Sequence, residues 1–595
     1  MCRISGIISP LHPIEALQPM VKEMCRIQEH GGPDDEGMYT DAAQHFVLGH
    51  RRLSLIELSM AGHQPMSYSD GRYTISYNGE LYNYLEIRME LMGAGFKFNT
   101  NSDTEVILAA FAAWGCNAFH RFNGMFAFAI YDKQVGEIYL VRDTSGIKPL
   151  YYAVTDKGLA FASEIKAFAA IPWLQKKNEN WPVYLLAYGH LPEPITTLAD
   201  VKPLPKGCCL RYRLADKDAD LNVYSFYSYR EQLSNRADVA AAIRETLQES
   251  VKRHLISDAP IGVFLSGGLD SSIIASLAGK FHHAGLKTLS IVFDEAEYSE
   301  KKYQDLMIQK LNCPNWQSTL SEKEFQQNFN NILQAMDMPG CDGMNTWFIS
   351  KYAKESGLKA VLSGVGGDEL FGGYPSFSRI NLVKRLDTIP TALLRAGKHA
   401  NTKKIRRLAF LSLRGAKGAY LFLRGQFIPA TIARQLDMDE KQVWNLLEDQ
   451  PDLYDISSLQ AGNEASWIET NLYMLNQLLR DSDVMSMAHG IEIRVPFLDK
   501  EFMSLALSIR SSLKYSGSLP KQLLVDSFKS ELPEPIWNRP KMGFTFPFAE
   551  WLGKNDYVKE TMLGKNARSA KNYQQFLKGE MHWSQLMALL LADGN

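Results

Sequence analysis

A short glycine- and serine-rich segment joins a predicted buried strand to a predicted helix near the middle of the chain. The apolar run at residues 261–265 predicts the strand, residues 266–272 read Ser-Gly-Gly-Leu-Asp-Ser-Ser, and the helix is predicted from residue 272 to His282. The first N–H groups of such a helix point outward unpaired, and glycines let an anion approach them closely. The segment therefore predicts a phosphate-binding loop in a parallel α/β sheet.

The acidic residue of this segment adds a second requirement. Asp270 disfavours a phosphate by itself, so a bridging Mg²⁺ is the expected explanation. The segment lacks the Gly-Lys-Ser/Thr ending of a Walker loop. It resembles instead the PP-loop of enzymes that cleave ATP between its α and β phosphates, release pyrophosphate and adenylate a substrate.

A second glycine-rich segment also follows a predicted strand. Residues 362–374 read Leu-Ser-Gly-Val-Gly-Gly-Asp-Glu-Leu-Phe-Gly-Gly-Tyr. Asp368 in this segment is expected to share the metal ion with Asp270. The two segments together predict a site for a nucleotide and Mg²⁺.

The second residue of the chain is a cysteine. Removal of Met1 would make Cys2 an N-terminal residue that carries a thiol nucleophile and a free α-amino group. An amine with a reference pKa of about 8 can take the thiol proton and return it to a leaving group. Position alone does not separate this role from that of an ordinary cysteine near a chain end.

Charge and composition exclude several classes of partner. The formal net charge is −2, so neither nucleic acid nor an anionic membrane is expected as a partner, and the predicted substrates are small molecules. The seven cysteines form no Cys-x-x-Cys pair and no zinc-like cluster, and a large chain with scattered cysteines fits the reducing cytoplasm. No apolar run approaches the ~20 residues of a membrane helix, and no signal peptide is expected.

The hydrophobic pattern divides the chain into two predicted domains. Residues 2–215 are rich in short strands, and the pattern weakens between about 175 and 235, where prolines and a polar stretch occur. Residues 235–595 begin with alternating strands and helices and become mostly helical after about residue 390. We therefore predict an α/β and α+β chain of two domains.

The second predicted domain resembles glutamine-dependent asparagine synthetase. The matching segments are residues 266–272, residues 363–374, residues 487–499, Lys521 within Leu-Pro-Lys-Gln-Leu-Leu, and residues 539–544, which read Arg-Pro-Lys-Met-Gly-Phe. The resemblance implies that Lys521 stabilises charge on the phosphates and that Asp270 and Asp368 hold Mg²⁺. It also implies contacts with ATP or pyrophosphate from Leu265, Ser266, Gly267, Gly268, Asp270, Ser271, Ser272, Val292, Ser363 and Gly364. Arg494 and Asp499 are either part of the site or a structural salt bridge.

The first predicted domain resembles a class II glutamine amidotransferase domain, whose fold is the αββα sandwich of N-terminal nucleophile hydrolases. The matching segments are Cys2 and residues 50–54, 64–65, 77–83 and 102–105. The resemblance implies that Cys2 attacks the glutamine side-chain amide, and that Asn78 and Gly79 donate to the oxyanion. It further implies that glutamine is bound by Arg52, Leu53, Glu80 and Asp103, with Arg52 on the α-carboxylate and the two acids on the α-ammonium.

The resemblance implies a complete reaction. Glutamine is hydrolysed at Cys2, and ammonia passes along an internal apolar channel to the second site. There a carboxylate acceptor, with L-aspartate as the leading candidate, is adenylated by ATP and then amidated, giving L-asparagine, AMP and pyrophosphate. The oligomeric state stays open, with a homodimer as one option.

Three departures from the family pattern concern the substrates. Gly31 stands where the family usually has an arginine, and Val365 stands where it usually has a glutamate. Residues 341–346 lack the expected threonine- and arginine-rich pattern for holding aspartate. A second interpretation is therefore the same chemistry on another acid, such as a sugar uronate of a surface polysaccharide or a natural-product acid. A β-lactam synthetase-like ring-forming ligase and an inactive nucleotide-binding regulator fit the complete set of residues less well.

Overall fold

A computed structural model describes residues 2–281, 285–295, 297–400, 402–451, 455–543 and 546–593 of the chain. His282, where the predicted helix was expected to end, lies outside the described residues, as do Met1 and Phe544. In the part that is described, every helix is too short or too polar to cross a bilayer.

The strands lie in the first 223 residues and in the segment from 261 to 494. They are β1 (Arg3–Ile8), β2 (Asp35–Asp41), β3 (Phe46–Arg52), β4 (Met66–Tyr68), β5 (Tyr73–Leu81), β6 (Gly124–Asp132), β7 (Glu137–Arg142), β8 (Tyr151–Thr155), β9 (Gly158–Ala162), β10 (Lys202–Pro203), β11 (Cys208–Arg213), β12 (Asp218–Val223), β13 (Ile261–Phe264), β14 (Lys287–Val292), β15 (Asn315–Thr319), β16 (Ala360–Leu362) and β17 (Glu492–Arg494).

The helices become dominant toward the C-terminal end. They are α1 (Ile14–Ile27), α2 (Tyr84–Gly93), α3 (Asp103–Trp114), α4 (Trp181–Tyr188), α5 (Arg236–His254), α6 (Leu269–Phe281), α7 (Lys301–Leu311), α8 (Glu322–Ala335), α9 (Met344–Glu355), α10 (Gly367–Phe371), α11 (Pro375–Leu386), α12 (Thr391–Ala396), α13 (Lys403–Arg407), α14 (Gly415–Arg424), α15 (Pro429–Leu436), α16 (Glu440–Asp449), α17 (Ala461–Ile468), α18 (Arg480–Met487), α19 (Lys500–Ser508), α20 (Ser511–Lys514), α21 (Gln522–Phe528), α22 (Glu534–Trp537), α23 (Phe548–Lys554), α24 (Asp556–Lys565), α25 (Ala567–Leu577) and α26 (Trp583–Asp593). A π-helical segment, Glu469–Leu479, joins α17 to α18.

Two antiparallel sheets pack face to face in the N-terminal part. Their strand orders are β10-β8-β9-β1-β3-β2 and β12-β11-β7-β6-β5-β4. Side chains such as Ile4, Phe46, Tyr131 and Leu140 fill one core between them. Helix α1 covers the first sheet, and α3 covers the second. These four layers are the predicted αββα sandwich.

A parallel sheet of order β15-β14-β13-β16-β17 forms the centre of the C-terminal part. Strands β13 and β16 are neighbours in parallel register, with Val263 opposite Leu362. The carboxyl ends of adjacent parallel strands lie at one edge of a sheet, where α/β proteins bind ligands. The two glycine-rich segments that follow β13 and β16 are therefore brought side by side.

The predicted fold class is confirmed, with differences at the level of single elements. Helix α6 begins at Leu269 rather than at residue 272, so the phosphate loop is shorter than expected. The weakly patterned stretch holds α4 and β10–β12, and the second sheet continues to Val223, past residue 215. Strand β12 alternates polar and apolar residues, but it is short and rich in Asp and Asn, which are depleted in strands, so its sequence resembles a polar loop. The domain limits themselves stay a prediction.

Candidate active sites of the two domains

The side chain of Cys2 lies in a small cavity beside the first residue of β1. Its Sγ is 3.9 Å from the carbonyl oxygen of Leu53. The lining includes the predicted glutamine-site residues Arg52, Leu53, Gly79, Glu80 and Asp103. Burial raises the pKa of the Cys2 thiol to about 11. The thiol is therefore protonated at neutral pH, and a nucleophilic role requires a base that takes its proton.

Asn78 and Gly79 lie next to each other on β5. The Asn78 side chain is fully buried, and neither its nitrogen nor its oxygen has a hydrogen-bond partner among the described residues. Gly79 has φ +154°, and a Cβ there would lie 2.2 Å from the Met125 carbonyl oxygen. Burying an amide group without a hydrogen-bond partner costs free energy. Such a group is expected where a bound ligand supplies the missing partner.

Arg52 is held in place by main-chain oxygens. Its guanidinium donates to the carbonyl of Ser59 at 3.0 Å and to that of Glu57. A Cβ on Gly62 would come within 2.0 Å of Arg52 Nη2, so glycine is needed for this packing. The guanidinium thus carries its positive charge at the cavity wall without a carboxylate bonded to it in the described structure.

Two buried carboxyl groups face the same cavity. Asp103 accepts hydrogen bonds from the Tyr77 hydroxyl and from the Leu81 N–H, each at 3.0 Å. Glu80 lies 3.2 Å from Nη2 of Arg494, which belongs to β17 of the parallel sheet. Burial raises the pKa of Glu80 well above its usual range, although Arg494 opposes the shift.

The state of Asp103 predicts a pH dependence of glutamine use. Burial raises the pKa of Asp103 to about 6. The resemblance implies that Asp103 binds the α-ammonium of glutamine, and a neutral acid would not pair with it, so below that pH we expect kcat/KM for glutamine hydrolysis to fall about tenfold per pH unit. Initial rates between pH 5 and 8 test this. Asp103→Asn should lower the plateau and remove this limb, whereas an unchanged acidic limb in that variant would assign it to another group.

Lys521 connects the two glycine-rich loops. Its Nζ lies 2.6 Å from Asp270 Oδ2 and 2.7 Å from Asp368 Oδ1. Lys541 is 2.8 Å from Asp368 Oδ2. Although burial opposes ionisation of Asp368, the two lysines lower its pKa to about 2. A Cβ on Gly364 would be 2.9 Å from Asp270 Cβ, so the second loop packs directly on the first.

This ion cluster forms one wall of a cavity of about 490 Å³. Predicted phosphate-site residues that line it are Leu265, Ser266, Gly268, Asp270, Ser271, Ser363, Gly364, Asp368 and Lys521. Gly267 is not among the lining residues, but its carbonyl accepts from Arg539 at 2.9 Å. Ser272 and Val292 are buried and lie outside the lining.

The cavity also uses residues that were not among the predicted phosphate-site residues. Arg539 Nη2 lies 2.5 Å from Glu300 Oε1, and its guanidinium stacks 3.6 Å from the centroid of the Tyr303 ring. Asp481 and Tyr473 reach the lining from α18 and the π-helical segment. Arg539 belongs to a segment that the family pattern identifies, whereas the other side chains are brought in only by tertiary folding.

The residues present fit a hard divalent cation. Asp270 Oδ1 is buried and has no hydrogen-bond partner within the described ranges. No cluster of three or more possible ligands occurs among the described residues. Mg²⁺ is commonly held by one or two carboxylates together with substrate phosphates, so Asp270 and Asp368 are a sufficient protein contribution.

The fold and the two sites define a class: an N-terminal-nucleophile-type amidotransferase domain joined to a nucleotide-binding α/β domain. Residues 1–226 match the glutamine amidotransferase domain, and residues 242–583 match asparagine synthase. The chain belongs to the asparagine synthase family. It is a glutamine-dependent, asparagine synthetase-like amidotransferase and thus a carbon–nitrogen ligase.

Relatives match over most of the chain. Asparagine synthetase (glutamine-hydrolyzing) 1 of Bacillus subtilis strain 168 is 33% identical, over 93% of this chain and 88% of the relative. Asparagine synthetase B of Escherichia coli K12 is 27% identical, over 92% of this chain and 82% of the relative. A glutamine phosphoribosylpyrophosphate amidotransferase structure from B. subtilis covers 61% of this chain and 81% of its own at 15% identity, with a TM-score of 0.30 that supports no conclusion.

Proposed function

We propose that the chain transfers the amide nitrogen of glutamine to a carboxylate acceptor that it activates with ATP. The observation that supports this most directly is the Asp270–Lys521–Asp368 cluster. It lies where the loops after two parallel strands meet, on the wall of the large cavity. That arrangement suits a nucleoside triphosphate, and the separate Cys2 cavity suits the nitrogen donor.

In the glutaminase half we propose an N-terminal nucleophile mechanism. Once Met1 is removed, the Cys2 amine takes the thiol proton, and Sγ attacks the amide carbon of glutamine. The oxyanion is stabilised by the Asn78 side-chain amide and the Gly79 N–H. The protonated amine returns its proton to the departing ammonia, and water then hydrolyses the thioester to glutamate, which frees the thiol.

In the synthetase half we propose adenylation followed by amide formation. An oxygen of the acceptor carboxylate attacks the α-phosphorus of ATP, and pyrophosphate leaves. Lys521 and Arg539 neutralise charge on the phosphate oxygens, and Ser266 and Ser271 donate hydrogen bonds from the loop. Asp270 and Asp368 would hold Mg²⁺, which when bound would neutralise further phosphate charge. Ammonia attacks the acyl carbon, and AMP leaves. The apolar ammonia channel stays a prediction.

L-Aspartate is the acceptor that the names of the relatives suggest. A specific observation favours a different carboxylate. Lys521, Arg539 and Lys541 line the cavity, and each is paired with a carboxylate within 2.8 Å. Among the described lining residues from Asp342 to Ser482 there is no lysine or arginine, whereas Asp342 and Asp481 are present.

These carboxylates suit hydrogen-bond donors on the acceptor better than a second acid group. Burial raises the pKa of Asp481 to about 7, and its Oδ2 is buried without a partner in the described structure. The α-ammonium of aspartate would pair with these acids, but its α-carboxylate would find no lysine or arginine in this part of the lining, because Arg480, with Nε 3.7 Å from Asp481 Oδ1, lies outside it. Hydroxyl groups would donate to them, so a sugar uronate is the second candidate.

A screen of acids for pyrophosphate release tests the proposal. We expect glucuronate- or galacturonate-type acids to stimulate release with MgATP and ammonia, and L-aspartate to stimulate it less. Asp481→Asn should raise KM for the preferred acid about tenfold or more, because a hydrogen bond to a charged group is lost. Preferential stimulation by aspartate would restore the first candidate. Release that is insensitive to every acid, with no glutamine hydrolysis, would contradict the amidotransferase proposal.

A further inference from the structure

The residue that follows the nucleophile has an unusual position. Arg3 begins β1 and is fully buried. Its side chain passes directly over Gly31, because a Cβ at that position would lie 2.8 Å from both Cγ and Nε of Arg3. Any side chain at position 31 would compete for this space. Gly31 ends a short 3-10 turn, Glu29–Gly31, and the space beside it is filled by Arg3 of β1.

The guanidinium of Arg3 joins the two domains. Nε lies 2.6 Å from Oε1 of Glu164, which follows β9 in the first sheet. Nη1 lies 3.0 Å from Oδ2 of Asp483 on α18. Both carboxylates are almost completely buried, and Glu164 is also 2.9 Å from Nε2 of His30. The ions are shielded from water, so their attraction is weakly screened.

The far end of this bridge is part of the nucleotide domain. Asp481 and Ser482, on the same turn of α18 as Asp483, line the large cavity. Lys148, which belongs to the amidotransferase part, also attracts Asp483, with its Nζ 3.7 Å from Asp483 Oδ1. A shift of α18 that accompanies ligand binding in the cavity would carry Asp483 with it. Arg3 would transmit that shift to the backbone next to Cys2.

We propose that Arg3 is a positioning residue that couples the two active sites through its bridge to Asp483. The bridge fixes the position of Cys2 relative to α18. Occupancy of the nucleotide cavity therefore changes the reactivity of the thiol. This inference rests on the proposed function, because it requires Cys2 to be the nucleophile and the large cavity to bind ATP.

The test is the rate at which 6-diazo-5-oxo-L-norleucine, a glutamine analogue that alkylates such nucleophiles, labels Cys2 with and without MgATP. We expect MgATP to change this rate about fivefold or more in the parent enzyme, within the usual range of coupling between sites. Arg3→Met should abolish the response. Asp483→Asn, which preserves size and lies on the other domain, should abolish it as well if Arg3→Met folds poorly.

Arg51 provides a matched control. It lies opposite Arg3 on the neighbouring strand β3, and its carboxylate partners Glu29 and Glu36 both belong to the amidotransferase part. Arg51→Met should keep the response to MgATP. A normal response in folded Arg3→Met and Asp483→Asn, or no response in the parent, would overturn the inference. Absence of labelling with or without MgATP would instead contradict the proposed role of Cys2.

Discussion

We expect alanine at position 2 to remove glutamine-dependent product formation and to leave ammonia-dependent formation intact. The thiol is the nucleophile in the proposed reaction, and no other cysteine lines the same cavity within the described residues. Loss of a nucleophile commonly costs several orders of magnitude, so we expect glutamine hydrolysis to fall at least about 10³-fold. The measurement compares glutamate release with pyrophosphate release driven by ammonium chloride.

Cys25→Ala is the control for this experiment. Cys25 is buried in the same domain, but its Sγ contacts Ser5 Oγ at 3.3 Å and does not reach the cavity. This variant should hydrolyse glutamine at a rate close to that of the parent. If Cys2→Ala retained glutamine-dependent synthesis, or if Cys25→Ala lost it, the assignment of the nucleophile would be wrong.

We expect methionine at position 521 to slow adenylation strongly and to spare the glutaminase reaction. Lys521 is the charge that Asp270 and Asp368 share, and its removal leaves two buried carboxylates facing each other and the phosphates. Loss of one preorganised charge at a transition state typically costs about 10²–10³-fold. We therefore expect acceptor-dependent pyrophosphate release to fall by that amount, while hydrolysis of glutamine in the absence of ATP continues.

Lys541→Met gives a graded comparison. Lys541 pairs directly with Asp368 and reaches Asp270 only by a longer-range attraction, with no ion pair to Asp270 in the described structure, so it bridges the two acids less closely than Lys521. Its replacement should reduce pyrophosphate release less than the change at position 521. An equal loss in both variants would indicate that general positive charge, rather than the bridge between the loops, determines the rate. Circular dichroism and thermal melting check that both variants fold.

The sequence predicted those parts of the sites that lie within one continuous segment. The loop at residues 266–272 and the segment around Asn78 and Gly79 are local, and the backbone rules for glycine and helix ends apply to them directly. The pairing of Glu80 with Arg494 could not be read in this way. The two residues are far apart in the chain, on β5 and β17, and only folding brings their side chains within 3.2 Å of each other.

The acceptor end of the cavity could also be predicted from the sequence only in part. Val365 and Asp342 lie in segments that the family pattern identified as different, so the sequence located the difference. Asp481 comes from a helix that follows a π-helical segment, and no periodicity predicts which of its side chains reaches the cavity. Burial, which raises the pKa of Asp481, is likewise a property of the folded molecule.

The buried ion pairs between the domains have a consequence for how such a protein can be divided. Arg3 and Glu80 on one side meet Asp483 and Arg494 on the other. Breaking one buried pair costs about 3–5 kcal/mol, and a typical domain is stable by only about 5–15 kcal/mol. Excising either half would leave Glu80 and Asp483 without their arginine partners, although Arg3 would keep Glu164 and Arg494 would keep Glu492. Recombination with a foreign synthetase or glutaminase module would therefore have to conserve this four-residue charge pattern, whereas residues of the acceptor cavity are free to diverge.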